Sequence, residues 1–246
     1  MGSEWKKYFH DSLNDKAGKG RMTMNVALFF QAFLKFLLGV VLVGLLLFLP
    51  AGTIDYWNGW LFMGILFVPM FFAGIVMMIA NPKLLRKRLN AKEQQAEQSL
   101  IIKFSGIMFI LGFLTAGLNF RYKWFILPSF VSWISAMIFL LAYMLYAEVL
   151  RENTYLSRTV EVQEGQKVID TGLYGIVRHP MYSATLVLFF AIPFVLGSVF
   201  SAVIFLVYPV LIAKRIENEE EILEAELYGY AEYKKKVRYR VIPFVW

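Results

Sequence analysis

Cysteine is absent from the 246 residues, and histidine occurs twice, as His10 and His179. Without thiols there is no disulfide framework and no thiolate zinc site. Two histidines so far apart in sequence do not make a histidine-rich metal cluster, and no metal is expected. Charge is also scarce. Asp, Glu, Lys and Arg make up 17% of the chain, where a soluble domain carries about 25%. Apolar residues reach 59%, against about 45–50% in a soluble domain. Such a content excludes intrinsic disorder and points to an integral membrane protein. The net charge of +7 would in a soluble protein raise nucleic acid as a partner. No basic stretch is interleaved with aromatics in the manner of a nucleic-acid module, so no nucleic-acid partner is expected. Basic loops facing an anionic cytoplasmic leaflet account for the excess.

What the chain has instead is long apolar runs. Residues 1–25 are polar and too long for a signal-peptide n-region, and the run after them is too long for an h-region, so it reads as a retained first span. That run, 26–49, covers roughly 36 Å at ~1.5 Å per residue, enough to cross a hydrocarbon core. Pro50, Ala51 and Gly52 end it. Further runs cover 57–80, stopped by Asn81-Pro82, then about 101–120 and about 124–147. Trp57, Trp60, Trp124 and Trp133 lie near run ends, where indole favours the interface. Lys35 sits inside the first run, either as a functional group or as a lysine that snorkels or faces another helix.

Residues 148–180 are polar. A second apolar stretch, 181–213, is interrupted by Pro193 and Gly197-Ser198 into two halves of about sixteen residues, each short for a full span. A helical hairpin is expected there. The tail, 214–246, is helical in pattern, acidic first and basic later, as the helix dipole favours. The expected fold is therefore an all-α integral membrane protein with about six hydrophobic segments. It comprises a cytoplasmic segment 1–25, a four-helix transmembrane region 26–147, and a region 148–246 with the membrane hairpin 181–213 and a cytoplasmic tail. Lysine and arginine crowd 1–25, 81–103, 148–180 and the tail, while 50–56 and 197–199 carry none. That asymmetry predicts both termini in the cytoplasm, with the two polar segments that flank the hairpin on the same side.

Folding the hairpin back on itself would bring Arg178, His179 and Tyr182 near Arg215, Glu219 and Glu220. Arg215 and Glu219 are spaced i, i+4 and share one helical face. Singly, each signal has a plain reading: an exposed helix ion pair of about 0.3–0.5 kcal/mol, a capping histidine, an arginine on lipid phosphate, a solvated run of glutamates.

Together, Arg178-His179-Pro180-x-Tyr182, a hydrophobic hairpin and Arg215-x-x-x-Glu219-Glu220 resemble the isoprenylcysteine carboxyl methyltransferase family. That family belongs to a wider group of membrane methyltransferases that includes phospholipid N-methyltransferases. Tyr230-x-x-Tyr233 and Tyr239-Arg240-x-Ile242-Pro243 also resemble this group. The close likeness covers about residues 150–246; the earlier spans resemble the family in hydropathy alone. Ala184 stands two residues after the tyrosine, where the family usually has glycine, and its methyl is expected to narrow the cofactor pocket slightly. Leu173 stands where relatives often have proline.

The resemblance implies a methyltransferase-like catalytic region over 148–246, dependent on S-adenosylmethionine bound between the cytoplasmic ends of the last helices. Its partners would be a lipidic or amphiphilic methyl acceptor and membrane lipids. Carried over, Gly172, Leu173, Tyr174, Val177, Arg178, His179, Pro180 and Tyr182 line the cofactor, and Glu220 holds its amino group. Arg215 and Glu219 face the reacting end as catalytic residues. No G-x-G-x-x-G follows a strand, so the soluble nucleotide-binding layout is absent. A sulfonium is a cation, which carboxylates and tyrosine faces attract. A carboxylate acceptor needs no general base and could be clamped by Arg215. An amine must lose a proton, which makes Glu219 the candidate base. The sequence leaves both open. A lipidic acceptor would enter sideways between helices.

Two rival classes exist. A membrane NAD(P)H-dependent reductase of the sterol-reductase kind shares a tail ending in tyrosine, arginine and Ile-Pro, but the Arg178–Tyr182 motif and the paired glutamates favour methyl transfer. A transporter or scaffold would bury charge within several spans, and Lys35 alone clearly does so.

Overall fold

The computed structural model describes residues 26–89, 96–153, 155–156 and 162–246. The segment 1–25, expected to be cytoplasmic, lies outside the described residues, as do Lys92, Arg158 and Glu161. The described residues fold into helices and contain no strand. In order they form α1 (Val26–Ala51), α2 (Trp57–Ala80), α3 (Pro82–Leu89), α4 (Ala96–Tyr122) and α5 (Ser129–Glu152). A single 3-10 turn (Gly172–Gly175) follows, then α6 (Pro180–Val195), α7 (Val199–Phe205), α8 (Tyr208–Glu226) and α9 (Tyr230–Lys236). Five stretches are long and apolar enough to cross a membrane: Val26–Ala51, Trp57–Ala80, Gln98–Tyr122, Ser129–Glu152 and Val199–Glu226, the last uniting α7 and α8. The shorter apolar helix is α6. The protein is an all-α integral membrane protein.

The elements differ from the apolar runs at places with a physical cause. α5 starts at Ser129 rather than Trp124, because Pro128 is extended (φ −57°, ψ 141°) and disfavours helix in the residue before it. It then continues through the polar Glu148, Arg151 and Glu152. The basic loop after α2 contains α3, whose last carbonyl, on Leu89, accepts a hydrogen bond from Lys35 Nζ at 2.6 Å. Lys35 thus caps a neighbouring helix, a common use of lysine at a C-terminal end. α7 stops at Phe205 because Pro209, in the first turn of α8, would drive its ring into the carbonyl four residues back. The tail is not one helix. α8 carries the second limb of the hairpin on to Glu226, Gly229 turns the chain with φ +85°, and after α9 residues 237–246 run in bends and turns.

α1 and α2 remain largely exposed, with Phe30, Leu34, Leu38 and Val41 of α1 facing outward, as suits helices surrounded by lipid. The core lies where one face of α1 and α2 meets α4 to α8, around Phe62, Phe113, Phe139, Phe205, Ile212 and Ile216. α1 approaches α4 at Gly117, where an added Cβ would stand 2.6 Å from the Leu47 carbonyl oxygen.

The turn between α6 and α7 is fastened by neutral hydrogen bonds. Tyr56 hydroxyl donates to Leu196 O at 2.6 Å. Asn58 Nδ2 donates to Val195 O and Ser132 Oγ, both at 2.9 Å, and Ser132 Oγ donates to Phe194 O at 3.1 Å. Asn119 Nδ2 donates to Gly197 O at 3.3 Å. These bonds satisfy carbonyls that the end of α6 leaves without helical partners. With the turn held at this end, the N-terminus of α6 and the polar half of α8 meet at the other.

Gly117→Ala is expected to lower stability by about 1–3 kcal/mol through overpacking, read as thermal melting in detergent. Gly106→Ala, whose added Cβ meets nothing within 4 Å, should be neutral or stabilising by up to about 1 kcal/mol. The reverse order would show that α1 and α4 do not touch at Gly117.

Candidate active site

Along α8 the buried positions Tyr208, Ile212, Ile216 and Glu220 recur every fourth residue, one stripe of a helix. The first three pack into the core. The fourth is a carboxylate only 1% exposed, and a buried anion is stable only if it is paired. Arg178 Nε donates to Glu220 Oε1 at 2.6 Å, and His179 Nε2 lies 3.1 Å from the same oxygen. Arg240 Nε donates to Oε2 at 3.1 Å. A carboxylate only accepts, so His179 Nε2 carries the proton in this contact. The ring's Nδ1 is 3.9 Å from Glu219 Oε1.

The tail is strapped across the start of α6. Backbone N–H groups of Arg178 and His179 donate to Tyr239 O and Arg240 O at 2.9 and 2.8 Å. Arg178 Nη1 donates to Val237 O and Arg238 O at 2.8 Å, and Ser183 Oγ to Val241 O at 2.7 Å. Pro180 opens α6 at a position where no helical N–H is needed. One position round α8 from Glu220, a second constellation forms. Tyr182 hydroxyl donates to Glu219 Oε2 at 2.6 Å and accepts from Arg215 Nε at 2.9 Å.

These groups border a cavity of about 100 Å³ that opens to solvent. Of the residues expected from the sequence, Tyr174, Arg178, His179, Tyr182, Arg215 and Glu219 line it; Gly172, Leu173, Val177, Pro180 and Glu220 do not. Gly172 has φ +49°, and an added Cβ would collide with the Glu152 carboxylate. That carboxylate accepts from Thr171 Oγ1 at 3.0 Å and Leu173 N at 3.2 Å. Gly172 and Leu173 therefore tie the 3-10 turn to the end of α5. Val177 and Pro180 are buried behind the wall. Ala184 is fully buried and away from the cavity lining, so its methyl does not narrow the pocket.

The cavity is also lined by residues that were given no place in the expected site. Asn153, Tyr155 and Gln166 to Ile169 follow α5, and Tyr230 and Tyr233 lie on α9. The spacing of Tyr230 and Tyr233 was visible in the sequence, and Ile222 and Leu223 stand three and four residues beyond Glu219, on its helical face. Tyr233 hydroxyl donates to Tyr174 O at 2.7 Å, and Asn153 Nδ2 donates to the Tyr174 hydroxyl at 3.0 Å. Burial pushes the Tyr174, Tyr230 and Tyr233 hydroxyls well above the usual tyrosine range, so these three phenols stay protonated and neutral. Beyond the cavity lining, Lys236 Nζ pairs with Asp170 at 2.6 Å and holds that carboxyl below its usual range.

Breaking the buried cluster should be costly and non-additive. Arg178→Met is expected to lower stability by about 3–5 kcal/mol, because Glu220 loses its closest cation. Combining it with Glu220→Gln should cost less than the sum of the two single changes, measured by chemical denaturation in mixed micelles. Strict additivity would show that the two side chains are not coupled.

Residues 133–225 match the family model described as the isoprenylcysteine carboxyl methyltransferase (ICMT) family. No curated protein matches the chain. The matched stretch begins within α5 and ends in the last turn of α8, so it takes in the start of α6 and the Arg215–Glu220 face but leaves out α9 and the strap. Over residues 133–225, which bring Arg178, His179, Tyr182, Arg215, Glu219 and Glu220 together, the chain is similar to the isoprenylcysteine carboxyl methyltransferase family, a family of membrane methyltransferases.

Proposed function

We propose that the protein is an S-adenosylmethionine-dependent methyltransferase of the membrane, acting on a lipidic or amphiphilic acceptor from a site that faces the cytoplasm. The observation that carries this reading is the hydrogen-bonded chain Arg215–Tyr182–Glu219 on the wall of a cavity at the open end of the α6–α8 hairpin. The family match over residues 133–225 supports it.

The residues present fit a sulfonium nucleoside. The carboxylate of Glu219 and the faces of several tyrosines offer a cation favourable surroundings. The Tyr230 hydroxyl is buried without a partner among the described residues, so the wall has a polar group to offer. When bound, S-adenosylmethionine supplies an electrophilic methyl group whose in-line transfer needs no metal. Tyr174, Arg178, His179 and Tyr182 would hold it. Glu220, with both oxygens engaged by Arg178, His179 and Arg240, is proposed to fix those side chains rather than to reach the ligand's amino group.

Arg215 and Glu219 act at the acceptor. Arg215 would orient a carboxylate by charge-assisted hydrogen bonds; Glu219 would take the proton from an amine. Tyr182 keeps the two at fixed separation. Met181, Ile222 and Leu223 give the cavity an apolar side against which a lipid chain can rest. Rate would come from alignment and exclusion of water.

Purified protein given S-adenosylmethionine labelled on the methyl group and a lipid extract should transfer label into an organic-soluble product. Label transfer to no lipid, combined with binding of NADPH but not of S-adenosylhomocysteine, would overturn the reading. With an amine acceptor, Glu219→Gln should lower kcat about 10²–10⁴-fold. With a carboxylate acceptor, Arg215→Gln should chiefly raise KM while Glu219→Gln changes the rate by only a few-fold.

A further inference from the structure

Five tyrosines line the cavity: Tyr155, Tyr174, Tyr182, Tyr230 and Tyr233. Four have hydroxyls engaged by the protein. Tyr155 donates to Gly165 O at 3.1 Å, Tyr174 accepts from Asn153 Nδ2, Tyr182 donates to Glu219, and Tyr233 donates to Tyr174 O. The Tyr230 hydroxyl has no partner among the described residues, although the residue is 4% exposed. Leaving a buried hydroxyl unpaired is destabilising, and native proteins keep few such groups.

The ring is not free to swing towards a partner. Tyr230 begins α9 directly after the left-handed Gly229, and its N–H donates to Leu227 O at 3.1 Å. The side chain is packed with Leu227, Tyr233 and Val237 in a cluster separate from the main core, its ring 5.7 Å from that of Tyr233. A rigid phenol held against the cavity with nothing to bond is a feature whose cost a ligand can offset. The same cavity presents Arg178 and Glu219, so the bound molecule meets charge and this neutral group together.

We propose that Tyr230 is a ligand-binding residue whose hydroxyl hydrogen-bonds directly to the bound S-adenosyl compound and sets its affinity. The assignment rests on the proposed function. A phenol both donates and accepts, which suits either a ribose hydroxyl or the amino-acid end of such a compound.

The test uses the full-length protein in micelles, as wild type, Tyr230→Phe and Tyr233→Phe, with calorimetric titration and thermal melting. Without ligand, Tyr230→Phe should melt at or above the wild-type temperature, because the lost hydroxyl had no partner. Tyr233→Phe should melt lower, because it loses the bond to Tyr174. S-adenosylhomocysteine should bind Tyr230→Phe about five- to twentyfold more weakly than wild type. Titration with 5′-methylthioadenosine, which lacks the amino-acid end, locates the contact. An equal loss places it on the nucleoside, and no loss places it on the amino-acid end. Undiminished S-adenosylhomocysteine affinity in Tyr230→Phe overturns the assignment, as does an unliganded melting temperature lowered as far as in Tyr233→Phe. A wild-type protein that fails to bind S-adenosylhomocysteine overturns the proposed function itself, and this inference with it.

Discussion

One carboxylate shut away from water organises the cavity end of this protein. Glu220 stands on α8, its partners Arg178 and His179 stand at the start of α6, and Arg240 belongs to the tail after α9. In a low-dielectric interior an unpaired charge is so unfavourable that the three segments are stable only when assembled together. The Arg178 guanidinium extends the constraint by donating to two tail carbonyls. Three stretches of chain, 41 residues or more apart where α8 meets α6, are thereby fixed to the geometry of one side chain.

The far end of the hairpin is held by a different kind of force. There Tyr56, Asn58, Asn119 and Ser132 donate to the carbonyls of Phe194, Val195, Leu196 and Gly197. None of these groups is charged, so no ion is desolvated, and the carbonyls of Val195, Leu196 and Gly197 gain partners that lipid could not supply. Neutral pairing at the turn and ionic pairing at the mouth leave the apolar middle of α6 and α8 to pack by shape. Between the two ends Gly112 admits the Phe205 ring, which would have to shift to accommodate an added Cβ.

Much of this was legible in the sequence because it follows from local rules. α1 and α2 match their apolar runs closely, since an uninterrupted run ended by Pro50 or by Asn81-Pro82 has one solution in a membrane. The meeting of Arg178 and His179 with Glu219 and Glu220 followed from a hairpin that returns the chain to the side it left. What the sequence did not carry was the sorting of motif residues into those that face the cavity and those that brace it. Glu220 and Pro180 stand beside Glu219 and His179 in sequence, yet helical rotation and the turn at His179 point them elsewhere. Nor did periodicity reveal the wall made by Tyr155, Val168 and Tyr230, because it is built from a loop and from a helix of seven residues, elements whose position depends on tertiary contacts such as Tyr233 to Tyr174. The strap after Val237 was hidden for the same reason: its bonds are backbone carbonyls, which every residue has.

The length of α6 bears on how two unlike molecules could share the cavity. Its sixteen residues, Pro180–Val195, cover about 24 Å, less than the ~30 Å of a hydrocarbon core. If its fastened turn lies near one interface, its N-terminus stops short of the other. His179 and Tyr182 then sit at a depth where neighbouring helices still meet lipid, while Gln166 to Ile169 and α9, which also line the cavity, lie outside the apolar spans. On the proposed reading, a water-soluble nucleoside approaches from that side and an amphiphile from between the helices, and neither has to cross the other's solvent. A full-length α6 would lift the same motif into water and forfeit that meeting.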